Sequence, residues 1–296
     1  MRRNESDVRI SYALMTQLPK TTPIEPRPGS HELNGGSEEP RIGIIIPACN
    51  EEACIARVLE ELLTVIEPRK YAVAVGVNDS SDQTAAIARG YPVVVAETSR
   101  RGYGFGCQEA IDALTRANSS ITAYVFFAAD GASDPHDVRN LVTAHGQGYG
   151  MVLGARTTRL CNWRMMSFSH VVANIALGAW AGLLSGRWFK DLAPLRLIDR
   201  QLFEAMAPRE MTFGWTIEPQ IGAAMLGASV CEITATERRR LGGQQKVSGV
   251  NWRRTFSIGC RIVAAGWRAR IRFARLLRKR ITVPQRVLHA QSQSGA

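Results

Sequence analysis

The sequence predicts an α/β protein built on a doubly wound, mostly parallel sheet with helices on both faces. Three observations carry this expectation. Four apolar runs, Arg41–Ile46, Tyr71–Val77, Val93–Ala96 and Tyr124–Ala129, are continuous rather than alternating, the pattern of strands buried on both faces. Segments between them carry apolar residues at helical spacing. Each of the longer runs opens directly into a polar turn, and alternating strand and helix units of this kind wind into a parallel sheet whose ligands gather beyond the carboxyl ends of its strands.

Residues 1–40 hold Pro19, Pro23, Pro26 and Pro28, then Gly29-Ser30 and Asn34-Gly-Gly-Ser37, with too few large apolar groups for a core, so a flexible arm is expected. Arg2 and Arg3 are followed by Glu5 and Asp7 rather than an apolar stretch, which argues against a secretory signal and for the cytoplasm. The first strand ends at Pro47-Ala-Cys-Asn-Glu-Glu52, and Ile55, Val58, Leu59, Leu62 and Leu63 then mark one helical face. After the second strand comes the turn Asn78–Thr84 and a helix from Ala85. After the third, the glycine-rich stretch Arg100–Gly106 opens onto a helix expected over Cys107–Ala117. Val171–Leu184 is apolar and rich in small residues, but Asn174 interrupts it and it falls short of the roughly 20 residues a span requires, so an interfacial or buried helix is expected.

The chain has 296 residues, of which 45% are hydrophobic, enough for one globular domain with appendages. Its net charge is +11 and its pI near 9.8. No Asp or Glu occurs from Arg238 to Ala296, which points to an anionic partner for that end. There Trp252, Phe256, Ile262, Val263, Trp267, Ile271, Phe273 and Leu276 interleave with arginines, as in a helix lying on an anionic membrane surface. No nucleic-acid motif accompanies the charge. The expected organisation is an arm over 1–40, a domain over 41–250 and a membrane-associating tail over 251–296, with the protein peripheral at the inner face of the cell membrane. The six cysteines lack metal-site spacing and read as reduced core residues.

Asp130 lies one step past the apolar run Tyr124–Ala129, where a carboxylate is placed to face a bound ligand; Asp130-Gly131 also reads as a plain turn, and Asp134-Pro135 as a cap for a helix starting near His136. Gly102, Gly104 and Gly106 lack the full dinucleotide spacing and follow the third strand, not the first. With Arg100 and Arg101 they suit an anion at a helix N-terminus, or simply a tight turn.

Taken together, Ile44-Ile-Ile-Pro-Ala-Cys-Asn-Glu-Glu52, Val77-Asn-Asp-Ser-Ser-Asp82, Arg101-Gly-Tyr-Gly104 and Phe127-Ala-Ala-Asp-Gly131 resemble, in that order, the nucleotide-binding half of family 2 glycosyltransferases, which have the GT-A fold. Asp191-Leu-Ala-Pro-Leu-Arg196, Phe213-Gly-Trp-Thr-Ile-Glu218 and Arg238–Ser248 are similar to the branch of polyprenyl-phosphate sugar synthases. The resemblance implies transfer of a sugar from a nucleoside diphosphate to an acceptor, a lipid phosphate or another membrane-linked group, usually with inversion. It implies that Pro47, Ala48 and Glu51 line the nucleoside pocket, that Asp79 bonds the base, and that Arg101, Gly102, Arg240 and Lys246 meet the diphosphate. Asp130 would be catalytic and hold a divalent metal, Mg2+ or Mn2+; Asp191 would shape the donor and acceptor pocket; Glu218 would serve as general base for an alcohol acceptor.

The chain departs from the family pattern at Ala128, where the usual Asp-x-Asp has its first carboxylate, and at Gln245, where a Ser is usual before Lys246. Two other classes stand beside the transferase: a sugar-phosphate nucleotidyltransferase, against which Pro47–Glu51 counts because a glycine-rich loop would follow the first strand, and a non-catalytic nucleotide-sugar binder or membrane scaffold, which Ala128 favours.

Overall fold

The computed structural model describes residues 41–242 and 252–278; the 1–40 arm and Lys246 lie outside the described residues. Seven strands, β1 (Ile42–Ala48), β2 (Tyr71–Asn78), β3 (Val94–Thr98), β4 (Ala123–Phe126), β5 (Met151–Ala155), β6 (Arg196–Asp199) and β7 (Val230–Thr234), form one sheet in the order β3-β2-β1-β4-β6-β5-β7. All pairings are parallel except those of β6, which runs antiparallel to both β4 and β5. The first four strands fall where the continuous apolar runs placed them. β6 reverses because its chain arrives from the far end of the sheet, after the long helical excursion that follows β5.

Helices cover both faces. On one lie α1 (Glu52–Val65), α2 (Thr84–Ala88) and α4 (His136–Gly146), whose Ile55, Leu59, Ala88, Val138 and Leu141 pack with Ile44, Ile46, Val75 and Val125. On the other lie α3 (Tyr103–Ala117), α5 (Phe168–Ser185), α6 (Arg200–Met206), α7 (Ile217–Met225) and α8 (Trp252–Arg278), packed around Ile45, Phe126 and Leu153. Between Phe126 and α6, Phe203 and Trp215 stack with ring centroids about 6 Å apart, the spacing at which tilted and edge-on aromatic pairs are favourable.

The glycine-rich stretch turns out to be a packing device. α3 begins at Tyr103, four residues earlier than its apolar periodicity implied, and only Gly102, at φ 146, has a backbone conformation that calls for glycine. A Cβ on Gly76 of β2 would lie 1.9 Å from the carbonyl oxygen of Gly106, and one on Gly104 2.6 Å from the Trp215 ring. Gly76 and Gly106 let α3 sit directly on the sheet, and Gly104 makes room for Met211 and Trp215, so two of the three glycines of the stretch are explained without any ligand.

Cysteine placement differs from expectation. All six are free, but only Cys54 and Cys107 are buried, while Cys161 and Cys260 are exposed. The C-terminal segment differs too. α8 is joined to the main core, with Ala265, Ala269 and Phe273 buried and the Phe273 ring filling the space left by Gly222 of α7. The expected boundary at 250 therefore falls ahead of a helix that belongs to the core.

Candidate active site

The carboxyl ends of β1 and β2 are bound to each other by their turns. Asn50 donates its backbone N–H to Ser80 Oγ and accepts from Ser81 N at 2.8 Å; Glu51 N donates to Thr84 Oγ1 at 2.8 Å; Glu52 and Asp82 side chains each take a backbone N–H from the opposite turn. Asn50 and Asp79 both adopt positive φ, a conformation Asn and Asp tolerate better than most residues. Asp79 is thereby held exposed at the end of β2, with Arg101 Nε 3.6 Å from its Oδ2. Pro47 and Ala48 are buried at the end of β1. Pro47, Ala48, Glu51 and Asp79 thus lie together at the carboxyl ends of β1 and β2.

Beyond β4, Asp130 forms the turn expected of it and also meets a cation. Its Oδ1 accepts from Ala132 N at 3.0 Å, closing a turn that Gly131 completes at φ 74. Its Oδ2 faces Arg240 Nη1 at 3.1 Å, and Arg240 Nη2 reaches both Glu51 oxygens at 2.9 and 2.7 Å. Arg240 comes from a strip after β7 that doubles back over the Asp130 loop, through Arg238 N to Ala132 O, Leu241 N to Asp130 O and a bridge between Ser133 and Glu237. One guanidinium thus spans two of the expected site carboxylates. Asp134 meets its structural expectation, accepting from His136 N at 3.0 Å.

Asp191 is fully buried and belongs to a network that sequence reasoning missed. Arg156, at the end of β5, donates its backbone N–H and Nε to Asp191 Oδ2 at 2.8 and 3.1 Å and its Nη2 to Oδ1 at 3.2 Å. Glu237 Oε1 lies 3.5 Å from Arg156 Nη1. Burial, opposed by Arg156 but reinforced by the negative charges of Asp130 and Asp191, pushes the Glu237 carboxyl up to about 7. Asn162 ties this region together, donating to the carbonyls of Arg156 and Ala235 and accepting from Glu237 N. Arg196, buried on β6 and held by the Thr216 and Ala193 carbonyls, is lowered to about 10 by the same desolvation. The one sequence cue to Glu237 was its place at the head of the Arg238–Arg240 run.

Glu218 stands apart. It is buried at the start of α7; its Oε2 accepts from Arg209 N and Glu210 N at 2.8 and 2.7 Å, and its Oε1 pairs with Arg272 of α8. Both oxygens are engaged in fixing α8 to the α6–α7 connection.

For a cation, the chain offers little by itself. Ala128 supplies no donor, Asp130 already holds a guanidinium, and among the described residues no group of three His, Cys, Asp or Glu could hold a metal ion. This donor set fits an ion that arrives with ligands of its own, not a resident one.

Residues 43–191 match the model of glycosyl transferase family 2, half of the chain and the half containing Glu51, Asp79, Asp130 and Asp191. The chain belongs to glycosyl transferase family 2. An uncharacterized glycosyltransferase of Mycobacterium tuberculosis (strain H37Rv) is 28% identical over 213 residues, covering 70% of this chain and 90% of that one, and one of Mycobacterium bovis matches equally. Glucosyl-3-phosphoglycerate synthase from Mycobacterium tuberculosis shares the fold: its complex with Mn2+, uridine diphosphate and phosphoglyceric acid superposes with a TM-score of 0.57 at 19% identity over 78% of each chain. The complex with Mn2+, uridine diphosphate and glucosyl-3-phosphoglycerate gives 0.55 at 20%, over 83% of this chain and 86% of that one. The GT-A expectation and the enzyme class are met, and a nucleotidyltransferase is set aside.

Proposed function

We propose that this transferase takes a sugar from a nucleoside diphosphate donor and delivers it, with inversion, to a phosphate-bearing acceptor carried at a membrane. The observation that carries this reading is the convergence of Asp79, Glu51, Asp130 and Arg240 at the carboxyl ends of β1, β2 and β4, a place where open α/β sheets bind ligands. Asp79, exposed beside Arg101, presents a carboxylate that would accept from a base N–H and orient the nucleoside. Arg101 and Arg240, one on each side, supply fixed positive charge for the diphosphate.

In the transfer, an acceptor oxygen forms a bond to the anomeric carbon while the bond to the diphosphate breaks and its electron pair leaves on the diphosphate oxygen. That departing charge must be stabilised in place. Arg240 is positioned to do so once the donor displaces Glu51 or Asp130 from it. A divalent ion, Mg2+ or Mn2+, entering on the diphosphate and held by Asp130, would add to the same neutralisation. The solved neighbours bound to Mn2+ together with uridine diphosphate support this assignment.

Asp191, immobilised by Arg156, shapes the acceptor side without a free oxygen for proton transfer. An acceptor phosphate needs no base, being already anionic. Should a hydroxyl be the acceptor, Glu237 is the better-placed proton acceptor than Glu218, since its carboxyl titrates near neutrality beside Asp130 while both Glu218 oxygens are engaged.

The experiment is a calorimetric titration with UDP, GDP and their sugars, followed by a donor screen with phosphate-bearing acceptors. Binding of at least one nucleotide, weakened by Asp79→Ala and Arg240→Ala, is expected. Folded protein that binds none of them in the presence of Mn2+ would defeat the assignment.

A further inference from the structure

The outer sides of α5 and α8 carry no function in the transfer, and each exposes an unbroken apolar stripe. On α5 it is Phe168, Val172, Ile175, Ala176, Ala179 and Leu183; on α8 it is Phe256, Cys260, Val263, Ala264, Trp267 and Ile271. Both follow the same steps of four, three, one, three and four residues, which hold one face of a helix. Phe168 is 73% exposed, Leu183 75%, Phe256 70% and Trp267 54%. The core needs none of these side chains, since α8 is held by Ala265, Ala269 and Phe273 on its opposite side, and α5 by Val171, Ala181 and Leu184.

The stripes adjoin. Trp180 of α5 donates its indole N–H to the Val263 carbonyl at 3.2 Å, so the seam between the helices runs beside both. The surface continues past the N-terminus of α5 into a 3₁₀ turn, Leu160–Arg164, where Leu160 and Trp163 are exposed, as is Met165 just after it, and past the C-terminus of α5 to exposed Trp188. α5 is long and apolar enough, by length and composition, to cross a membrane, yet Gly178 and Gly182 press it against the chain at Arg187–Asp191, and only 28% of the helix is buried.

We infer that these joined faces form a docking surface whose occupant is an anionic lipid bilayer, with both helices lying along it. Charge selects the occupant. No Asp or Glu occurs from Val138 to Lys190 or from Arg238 onward, so both segments that build the face lack carboxylates. Arg261, Arg268 and Arg275 line one margin of the α8 stripe at heptad spacing, Arg268 sharing its charge with Glu210 at 2.7 Å and Arg261 lying over the Phe213 ring. Exposed Arg164 precedes the N-terminus of α5 and exposed Lys190 follows its C-terminus. A second copy related by a two-fold axis would set these cationic margins against faces with no carboxylate to receive them, whereas phospholipid headgroups neutralise them and the acyl region takes the tryptophans and leucines. Asn162, inside the 3₁₀ turn, is hydrogen-bonded to Arg156 and Glu237, so the face begins at the rim of the site. An acceptor in the bilayer would meet the site there; this last step rests on the transferase reading, while the docking itself does not.

The test is co-sedimentation of the full chain with vesicles of phosphatidylcholine alone or with a third phosphatidylglycerol, over a salt series, alongside sedimentation velocity without lipid. Expected are preferential binding to the anionic vesicles that falls with salt, and a loss of about fivefold for each of Arg275→Ala and Arg261→Ala. Phe168→Ser and Leu183→Asn, both on exposed side chains, are each expected to cost about tenfold in partition with thermal unfolding unchanged. If one of them fails to fold, the other and the vesicle composition series decide. Equal partition to both vesicles, no binding to either, or a lipid-free dimer that the same substitutions dissociate would overturn the proposal. Nucleotide titrations in parallel separate its failure from failure of the transferase reading.

Discussion

At the scale of single residues, Ala128, Asp130 and Arg240 define how this site handles charge. A carboxylate that already holds a guanidinium at 3.1 Å, with no second carboxylate at position 128, should bind a divalent ion only when diphosphate oxygens and waters complete its shell. Mn2+ titration is therefore expected to show little binding without nucleotide and clear binding with it. Ala128→Asp should tighten the nucleotide-free affinity more than it tightens donor binding, and Asp130→Ala should abolish the metal-dependent part of turnover. Tight binding to the wild type without nucleotide would show the site to be elsewhere. Glu237 makes a separate prediction. Its folded carboxyl titrates near 7 against an ordinary value near 4.5, so the folded state retains a proton that the unfolded state has lost between those values. The contribution of this carboxyl to stability is then fully present below about pH 4.5 and is lost as pH rises to about 7, an amount on the order of 3 kcal/mol for a shift of this size. Glu237→Gln should flatten that decline. Thermal midpoints of both proteins at pH 5 and pH 8 check it, the expected sign being a wild type less stable at the higher pH relative to the variant.

At the scale of elements, legibility followed the strength of each periodic signal. β1 to β4 could be read because each is a continuous apolar run ending in a polar turn. β5, β6 and β7 are four or five residues long and β6 runs against its neighbours, so no crossover pattern announced them. Arg156 was hidden because its meaning depends on Asp191, 35 residues away, and on a turn that brings both beneath the same loop. Gly104 and Gly106 carried the signal of a phosphate loop but serve packing, Gly106 against β2 and Gly104 against Met211 and Trp215. Glu218 carried the family signal of a base, and its surroundings give it an element-scale task instead: it holds α8 in place through Arg272, with side-chain exposures of 2% and 17%. Glu218→Gln would leave a buried guanidinium without its counter-ion, a loss of roughly 3–5 kcal/mol. Chemical denaturation should show that drop, while turnover per folded molecule changes far less than the roughly 10²–10⁴-fold expected for a lost general base. A large fall in turnover with stability intact would restore Glu218 to the proton-transfer step.

At the scale of the whole molecule, the question is whether the C-terminal helix is an appendage or part of the folding unit. Composition sets it apart: from Arg238 onward the chain is basic without a single carboxylate, and an amphipathic stretch of that kind reads as a tail. Packing joins it back. Phe273 is fully buried among Met206, Ile217 and Ile221, and Gly222 has no Cβ because the Phe273 ring stands 2.5 Å from where it would be. α8 therefore has two apolar sides, one packed on the core and one turned outward, with Arg261, Arg268 and Arg275 along the margin between them. A chain ending at 250 would uncover the sides of α5 and α7 that α8 covers and leave Glu218 buried without Arg272. Expression of residues 1–250 should give aggregated protein or a molecule with loosened tertiary packing, not a soluble transferase that merely fails to bind lipid. Phe273→Ala in the full chain isolates the packing component, with an expected loss of roughly 3–5 kcal/mol for removing a fully buried aromatic ring. Trp267→Ala, on the outward side of the same helix, should leave the unfolding midpoint within the small range typical of exposed positions. Denaturant unfolding of the two variants beside the wild type decides the matter: equal, small effects would make α8 an appendage, and a large difference between the inward and outward residues would make it part of the domain.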